Sequence, residues 1–111
     1  MLYIKSDGTV RLTRGDTARL TVPITNETDD STYEVQDGDT LTMTVKKSCN
    51  DETPSFQKVV TGANTFHIEP KDTADMSFGK YKYDVELVTA AGDVHTVIEP
   101  TDFEVMQEVT Y

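Results

Sequence analysis

The chain has 111 residues, 36% of them hydrophobic, and its twenty acidic side chains outnumber ten basic ones to give a net charge of −10. This length predicts a single domain over residues 1–111. The charge disfavours anionic partners, so we expect the chain to bind neither nucleic acid nor a membrane surface.

The cysteine content and the N-terminal residues bear on where the chain is made. Cys49 is the only cysteine in the sequence, so an intrachain disulfide is impossible and a reducing compartment is favoured. The N-terminal residues lack the basic and then apolar layout of a signal peptide, and no apolar run reaches the roughly 18 residues of a membrane span. We therefore expect a complete chain that is made in the cytosol and is not secreted by a signal peptide.

Two strands are predicted in the first quarter of the chain. Val10 and Leu12 alternate with polar residues and predict a short first strand. Apolar residues at every second position predict another strand over Thr17–Thr25. Pro23 removes a main-chain donor from this strand, so it indicates a sheet edge or a bulge.

The middle of the chain alternates between polar loops and short strands. Residues 26–38 form an acidic stretch that we interpret as a loop anchored by Tyr33 and Val35. The clearest strand pattern follows over Thr40–Lys47, with three apolar side chains on one face, namely Leu41, Met43 and Val45. Further strands are predicted over Phe56–Val60 and Thr65–Glu69.

A short helical turn is predicted between two strands. The turn covers Pro70–Met76, because proline at the first helical position and flanking acidic residues favour helix initiation. We expect Met76 and Phe78 to attach this turn to the core.

The most strongly patterned stretch is a hairpin over Gly79–Ile98. Its first strand places four large side chains on one face, and we expect all four in the core: Tyr81, Tyr83, Val85 and Leu87. Residues 90–93 form the turn, and Pro100 is expected to stop the returning strand. A last strand is predicted over Asp102–Val109.

These elements define a fold class. Seven or eight short strands, turn signals every eight to twelve residues and no amphipathic helix predict an all-β protein, an antiparallel β-sandwich with at most one short helical turn. A single hairpin cannot bury its own apolar face, so a second sheet is needed to cover Gly79–Ile98.

Acidic loop residues are the candidates for a metal site. Carboxylates at Asp29, Asp30, Asp37 and Asp39 could converge on calcium, which prefers oxygen ligands from loops. The regular twelve-residue calcium loop is absent from the sequence, and acidic loops are commonly only solvated. We therefore expect no cofactor and retain these four residues as calcium candidates.

No pattern in the sequence indicates catalysis. His67 and His95 fall in predicted strands without a neighbouring nucleophile, and we expect both on the surface. The Arg14-Gly15-Asp16 tripeptide is interpreted as the turn into a strand, and Cys49 as an exposed bystander thiol. We expect a protein that is not an enzyme.

Six segments, taken in chain order, carry a resemblance to a known family. They are RGDTARLTV (14–22), GDTLTMTVKK (38–47), FHIEPKDT (66–73), FGKYKYDVEL (78–87), GDVHTVI (92–98) and FEV (103–105). Together they resemble small phage and prophage structural proteins and the immunoglobulin-like N-terminal domain of phage baseplate upper proteins. The resemblance implies an immunoglobulin-like sandwich of about seven to eight strands that docks onto tail, baseplate or head components of a virion. It implies no catalytic residues.

The expected function follows from this resemblance. The baseplate family continues into coiled-coil and receptor-binding regions, whereas this chain ends at Tyr111, which favours a stand-alone accessory protein. It would be made in the bacterial host cytoplasm, reside in the virion and bind other virion proteins, and virion components commonly form homo-oligomers. Exposed sheet edges are the expected contact regions, and the candidate interface residues are Pro23, Val105, Met106 and Val109.

A second class of function stays open. A carbohydrate- or ligand-binding β-sandwich, assisted by calcium at the acidic loops, is compatible with the same strand pattern. Its expected signature is an aromatic side chain on a solvent-facing loop, and Tyr33 is the one strong candidate.

Overall fold

The computed structural model describes residues 8–25, 31–48 and 53–107 in full and residues 2–4 by their main chain. This part of the chain is mostly β-structure with almost no helix, which confirms the all-β prediction. The strands are β1 (Leu2–Ile4), β2 (Val10–Thr13), β3 (Ala18–Thr21), β4 (Thr40–Lys46), β5 (Phe56–Thr61), β6 (Thr65–Ile68), β7 (Gly79–Val88) and β8 (Val94–Met106). One helix, α1 (Pro70–Thr73), lies between β6 and β7.

The described strands form two sheets. The larger has six strands in the order β1-β2-β8-β7-β4-β5, and the smaller pairs β3 with β6. All neighbouring strands are antiparallel except β2 and β8, which run parallel with Val10 opposite Phe103. This pairing joins residues near the two ends of the chain. A contact between residues so far apart in sequence cannot be predicted from the pattern of adjacent residues.

Buried side chains from both sheets form one hydrophobic core. The predicted alternation holds on β4, where Leu41, Met43 and Val45 are fully buried, and on β7, where the four apolar residues are at most 6% exposed. Phe103 of β8 contacts the Tyr83 ring edge-on, with ring centroids 5.9 Å apart. Aromatic pairs in this geometry stabilise a core by about 0.5–1.5 kcal/mol beyond their buried area.

The prediction that Pro100 stops the returning strand is wrong. β8 passes through Pro100 and continues to Met106 beside β7. Its register with β7 shifts twice, between Tyr83 and Val85 and again between Val85 and Glu86, so that β8 carries extra residues at each point. A bulge leaves a residue outside the hydrogen-bond ladder, so a proline there removes no ladder bond.

The predicted helical turn is confirmed, but one of its expected core contacts is not. The Asp72 carboxylate accepts a hydrogen bond of 2.7 Å from the Glu69 main-chain N–H at the start of α1. Met76 is buried, whereas Phe78 is 44% exposed and has the Arg14 guanidinium 4.3 Å from its ring centre. The cation reaches the ring from outside the core, so the prediction for Phe78 is wrong.

α1 is the only helix among the described residues. Its four residues are neither long nor apolar enough to cross a membrane.

Candidate interaction surface

Two tyrosines of β7 combine a buried ring with a hydroxyl that is hydrogen-bonded to the main chain. The Tyr81 hydroxyl donates to the Ser77 carbonyl over 3.0 Å, and the Tyr83 hydroxyl donates to the Gly8 carbonyl over 2.5 Å. Both rings were predicted to lie in the core, and their burial confirms this. The hydroxyl partners were not predicted, because they lie in turns whose position depends on the folded chain. These bonds fix the start of β7 and the segment before β2.

Asp39 joins two loops at one end of the molecule. It is 2% exposed, and its carboxylate accepts hydrogen bonds from the Gln36 N–H at 2.9 Å, the Ala90 N–H at 3.1 Å and the Tyr33 hydroxyl. Gly38 has a positive φ of 91°, and a Cβ there would lie 3.0 Å from the Ala90 Cβ. Asp39 therefore ties the loop before β4 to the turn between β7 and β8.

These hydrogen bonds shift the acidity of both side chains. The bond from Tyr33, with the Gln36 N–H second, lowers the pKa of Asp39, and the same bond raises the pKa of Tyr33. A carboxyl group whose pKa is lowered by folding stabilises the folded state above about pH 3.9, the ordinary pKa of the group. This contribution is lost as the pH falls through the folded-state pKa. A tyrosine whose pKa is raised by folding stabilises the folded state below about pH 10. This contribution is lost as the pH rises through the folded-state pKa of the tyrosine.

The calcium hypothesis gains no support from the residues that can be placed. The Asp39 carboxylate oxygens already accept three hydrogen bonds, and Asp37 is exposed. Within the described ranges, no three His, Cys, Asp or Glu side chains lie close enough together to hold a metal ion. Asp29 and Asp30 lie outside the described residues, and so does Cys49.

The two histidines are exposed and belong to different sheets. His67 lies on β6 opposite Arg19, and His95 lies on β8 opposite Leu87. The structure therefore does not bring them together, in agreement with the surface positions predicted for both.

The outer face of the large sheet carries the polar side chains of β4 and β7. An open groove of about 430 Å³ crosses it. Its lining comes from the four neighbouring strands β8, β7, β4 and β5 and from Pro54 before β5: Thr42, Thr44, Lys46, Pro54, Gln57, Lys82, Tyr83, Asp84, Glu86 and Pro100. Because alternate residues of a strand share a face, this surface is the reverse side of the buried tyrosines and valines.

Charges on this outer face are balanced. In-register pairing across β2, β8, β7 and β4 brings together four basic and four acidic side chains, namely Arg11, Lys46, Lys80, Lys82, Asp84, Glu86, Asp102 and Glu104. Lys82 forms an ion pair with Asp102, and Arg11 Nε lies 3.1 Å from Glu104 Oε2, near enough for an ion pair but not aligned as a hydrogen bond. These eight charges sum to zero, whereas the chain as a whole carries a net charge of −10.

The predicted interface on the terminal strand needs correction. Val105 is 1% exposed and lies between Leu12 of β2 and Gly79 of β7, so this part of β8 is an interior strand and not an open edge. Met106 is half-buried, and its carbonyl accepts a 2.9 Å hydrogen bond from the Arg14 N–H. The parallel pairing with β2 covers the side of β8 that was expected to be free. Val109 lies outside the described residues.

Pro23 occupies a different environment. It is exposed and follows β3, whose one partner among the described strands is β6. β3 ends at Thr21, but Val22 and Ile24 stay buried, so the predicted alternation continues beyond the strand. An interface at Pro23 stays a prediction.

No family model matches the chain, and no match was found among curated proteins or among solved structures.

Proposed function

We propose that the chain is an immunoglobulin-like β-sandwich that acts without catalysis, through protein–protein contacts, as a structural or accessory protein of a phage or prophage virion. The observation that carries the contact function is the broad, neutral outer face of the large sheet. The virion setting rests on the six sequence segments that resemble phage structural proteins.

The order of the strands supports the immunoglobulin-like part of the proposal. Immunoglobulin domains place strands C, F and G in one sheet and strands B and E in the other. Here β4, β7 and β8 are neighbours in the larger sheet, and β3 pairs with β6 in the smaller one. Taken in chain order, β3, β4, β6, β7 and β8 correspond to B, C, E, F and G.

A second feature of immunoglobulin domains is the tyrosine corner. In it, a tyrosine near the start of strand F donates its hydroxyl to the main chain a few residues upstream, two residues before the disulfide cysteine. Tyr81 makes such a bond to Ser77 near the start of β7. Tyr83 occupies the position two residues later, where its ring packs against Phe103. An aromatic cluster then replaces the disulfide that the single cysteine cannot form.

The shape of the outer face suits a protein partner. Protein interfaces of standard size bury about 800 Å² on each side and are mostly flat, whereas small-molecule sites enclose most of their ligand. The groove here is open to solvent, and charged and hydroxyl side chains line it. Mixed charges on an exposed face confer specificity for a partner with the complementary pattern.

The virion setting can be tested on particles from the bacterium that encodes the chain. After prophage induction, we expect the chain to co-purify with particles at a fixed copy number, measured by quantitative mass spectrometry. In a strain that lacks the coding sequence, wild type and Arg19→Ala, a change on the exposed side of β3, should both return to the particles, whereas the core variant Met43→Lys should not. A chain that stays in the soluble lysate while particles assemble normally would contradict the proposal.

The groove is the one observation that favours the alternative, a ligand-binding module. Its single aromatic residue, Tyr83, has its side chain buried and its hydroxyl bonded to Gly8, so no ring is offered for stacking on a sugar. We expect calcium titration to leave the melting temperature unchanged, because a ligand raises it only by binding the folded state. A rise of several degrees in thermal melts with calcium, absent with magnesium, would favour the alternative.

A further inference from the structure

The outward side chains of β7 follow one another in a particular order. Lys80, Lys82 and Glu86 are exposed and Asp84 is half-buried, so all four side chains reach the outer face. We call these four residues the β7 strip. Two basic residues are followed by two acidic ones, at intervals of two residues that correspond to roughly 6.6 Å along a strand.

The order of charges in the β7 strip is self-complementary: when two copies of the strip run in opposite directions, each basic residue faces an acidic one. If a second copy lies face to face with its β7 antiparallel to the first, Lys82 of each copy meets Asp84 of the other. Lys80 then meets Glu86, and each of these two pairs occurs twice. A two-fold axis between the positions of Lys82 and Asp84 produces this arrangement, and a two-fold axis is the symmetry that self-complementary patches require.

The charge of the whole molecule favours this face over others. Two copies with a net charge of −10 each repel one another. The eight in-register charges of the outer face sum to zero, so copies that meet there bring these charges together without net repulsion. Two of the three exposed large apolar side chains, Val59 and Val94, lie opposite outward residues of this sheet and add apolar area.

We infer that the outer face of the large sheet pairs with the same face of a second copy, and that the β7 strip sets the antiparallel orientation. The inference rests on the proposed function, since both assign the domain to protein contacts, and it names the partner as the chain itself. The two sheets would lie about 10 Å apart, a distance that lysine and carboxylate side chains span together.

Charge reversal within the strip tests the inference. The acidic variant is Lys80→Glu with Lys82→Glu, and the basic variant is Asp84→Lys with Glu86→Lys. We expect wild type to dimerise in sedimentation equilibrium and each variant alone to bind itself about tenfold or more weakly, because like charges then face each other across the axis. An equimolar mixture of the two variants should restore a dimer with one copy of each.

Matched controls separate the strip from the overall charge. Arg19→Glu with Lys71→Glu changes the net charge as the acidic variant does, and Glu34→Lys with Asp75→Lys changes it as the basic variant does. All four control residues are exposed and lie away from the outer face of the large sheet. Both controls should dimerise like wild type, to within about twofold in the dissociation constant.

Cross-linking supplies a measurement that does not depend on the folding of variants. A mixture of isotope-labelled and unlabelled wild type, treated with a carbodiimide, should yield peptides that join Lys82 to Asp84 and Lys80 to Glu86 between copies. A wild-type monomer at about 100 µM, a dimer that the strip variants leave unchanged, or a variant mixture that stays monomeric would each overturn the inference. The particle experiment decides the proposed function separately, since virion incorporation through another surface would survive all three results.

Discussion

β7 and the first half of β8 are the two arms of one hairpin, yet they differ in what holds them. β7 buries every second side chain, and its neighbours β4 and β8 pair with it on both sides. The returning arm begins with Val94, which is 60% exposed, and is only half-buried at Val97 and Ile98. Only beyond Pro100 does β8 enter the core, where Phe103 and Val105 are buried.

The comparison shows that the alternation of inward and outward side chains is kept where a second layer covers the strand. A shift of one residue in β7 would turn its tyrosines to solvent, so the register is strongly specified there. The exposed arm of β8 carries no such constraint and accommodates the two register shifts opposite Tyr83, Val85 and Glu86.

The largest effect is expected on β7. Tyr83→Ala removes a buried ring, its contact with Phe103 and the hydrogen bond to Gly8, and should cost about 3–5 kcal/mol in the free energy of unfolding. Its neighbour on the outward face, Lys82→Ala, should change this free energy by about 1 kcal/mol or less, since exposed ion pairs contribute little. Urea denaturation of both variants measures the difference, and a loss at Lys82→Ala as large as that at Tyr83→Ala would contradict the assignment of the inward and outward faces.

A smaller effect is expected within β8, between its two halves. Val105→Ala should lower the free energy of unfolding by about 2 kcal/mol, because it deletes buried methyl groups from a packed site. Val94→Ala should change it by less than about 0.5 kcal/mol. If Val105→Ala weakened self-association and left stability unchanged, Val105 would be an interface residue after all and the burial of β8 would be in error.

The same comparison explains which parts of the fold could be predicted from the sequence. The patterns of β4, β6 and β7 and the turn at Pro70 identified their elements, because local alternation and helix-start chemistry are encoded in adjacent residues. The pairing of β2 with β8 was not predictable, since it joins Val10 to Phe103 across most of the chain. Because this pairing was not predicted, Val105 was expected to lie on an open edge.

The smallest effect on stability is expected at the turn that joins the two arms. Asp39→Asn keeps the size of the side chain but removes its charge, which weakens the bonds from Tyr33, Gln36 and Ala90. Charge-assisted hydrogen bonds are stronger than neutral ones, so we expect the melting temperature to fall by a few degrees at pH 7. Because the pKa of Asp39 is lowered in the folded state, this difference should shrink below about pH 4 as the wild-type carboxylate is protonated. An unchanged difference at pH 3 would show that another feature of Asp39 is responsible.

The candidate surface was predictable in part. The outward positions of Lys82, Asp84 and Glu86 followed from the alternation of β7, and Lys80 is in the same phase. The neutrality of the face was not predictable, because it depends on Asp102 and Glu104 of β8 and on Arg11 of β2, which reach the same surface through the parallel pairing and the bulges. The hydrogen bonds of Asp39 were missed because its partners lie in loops that meet only in the folded chain.

We therefore propose two functions for one strand: inward residues of β7 stabilise the fold, and outward residues form the contact surface. The concentration dependence of thermal melting tests this most directly, because association of folded copies stabilises the folded state more as the protein concentration rises. We expect the melting temperature of wild type to rise with protein concentration and that of the Asp84→Lys, Glu86→Lys variant to stay constant. A wild-type melting temperature that is independent of concentration, or one that rises equally in the variant, would contradict the assignment of the contact surface to β7.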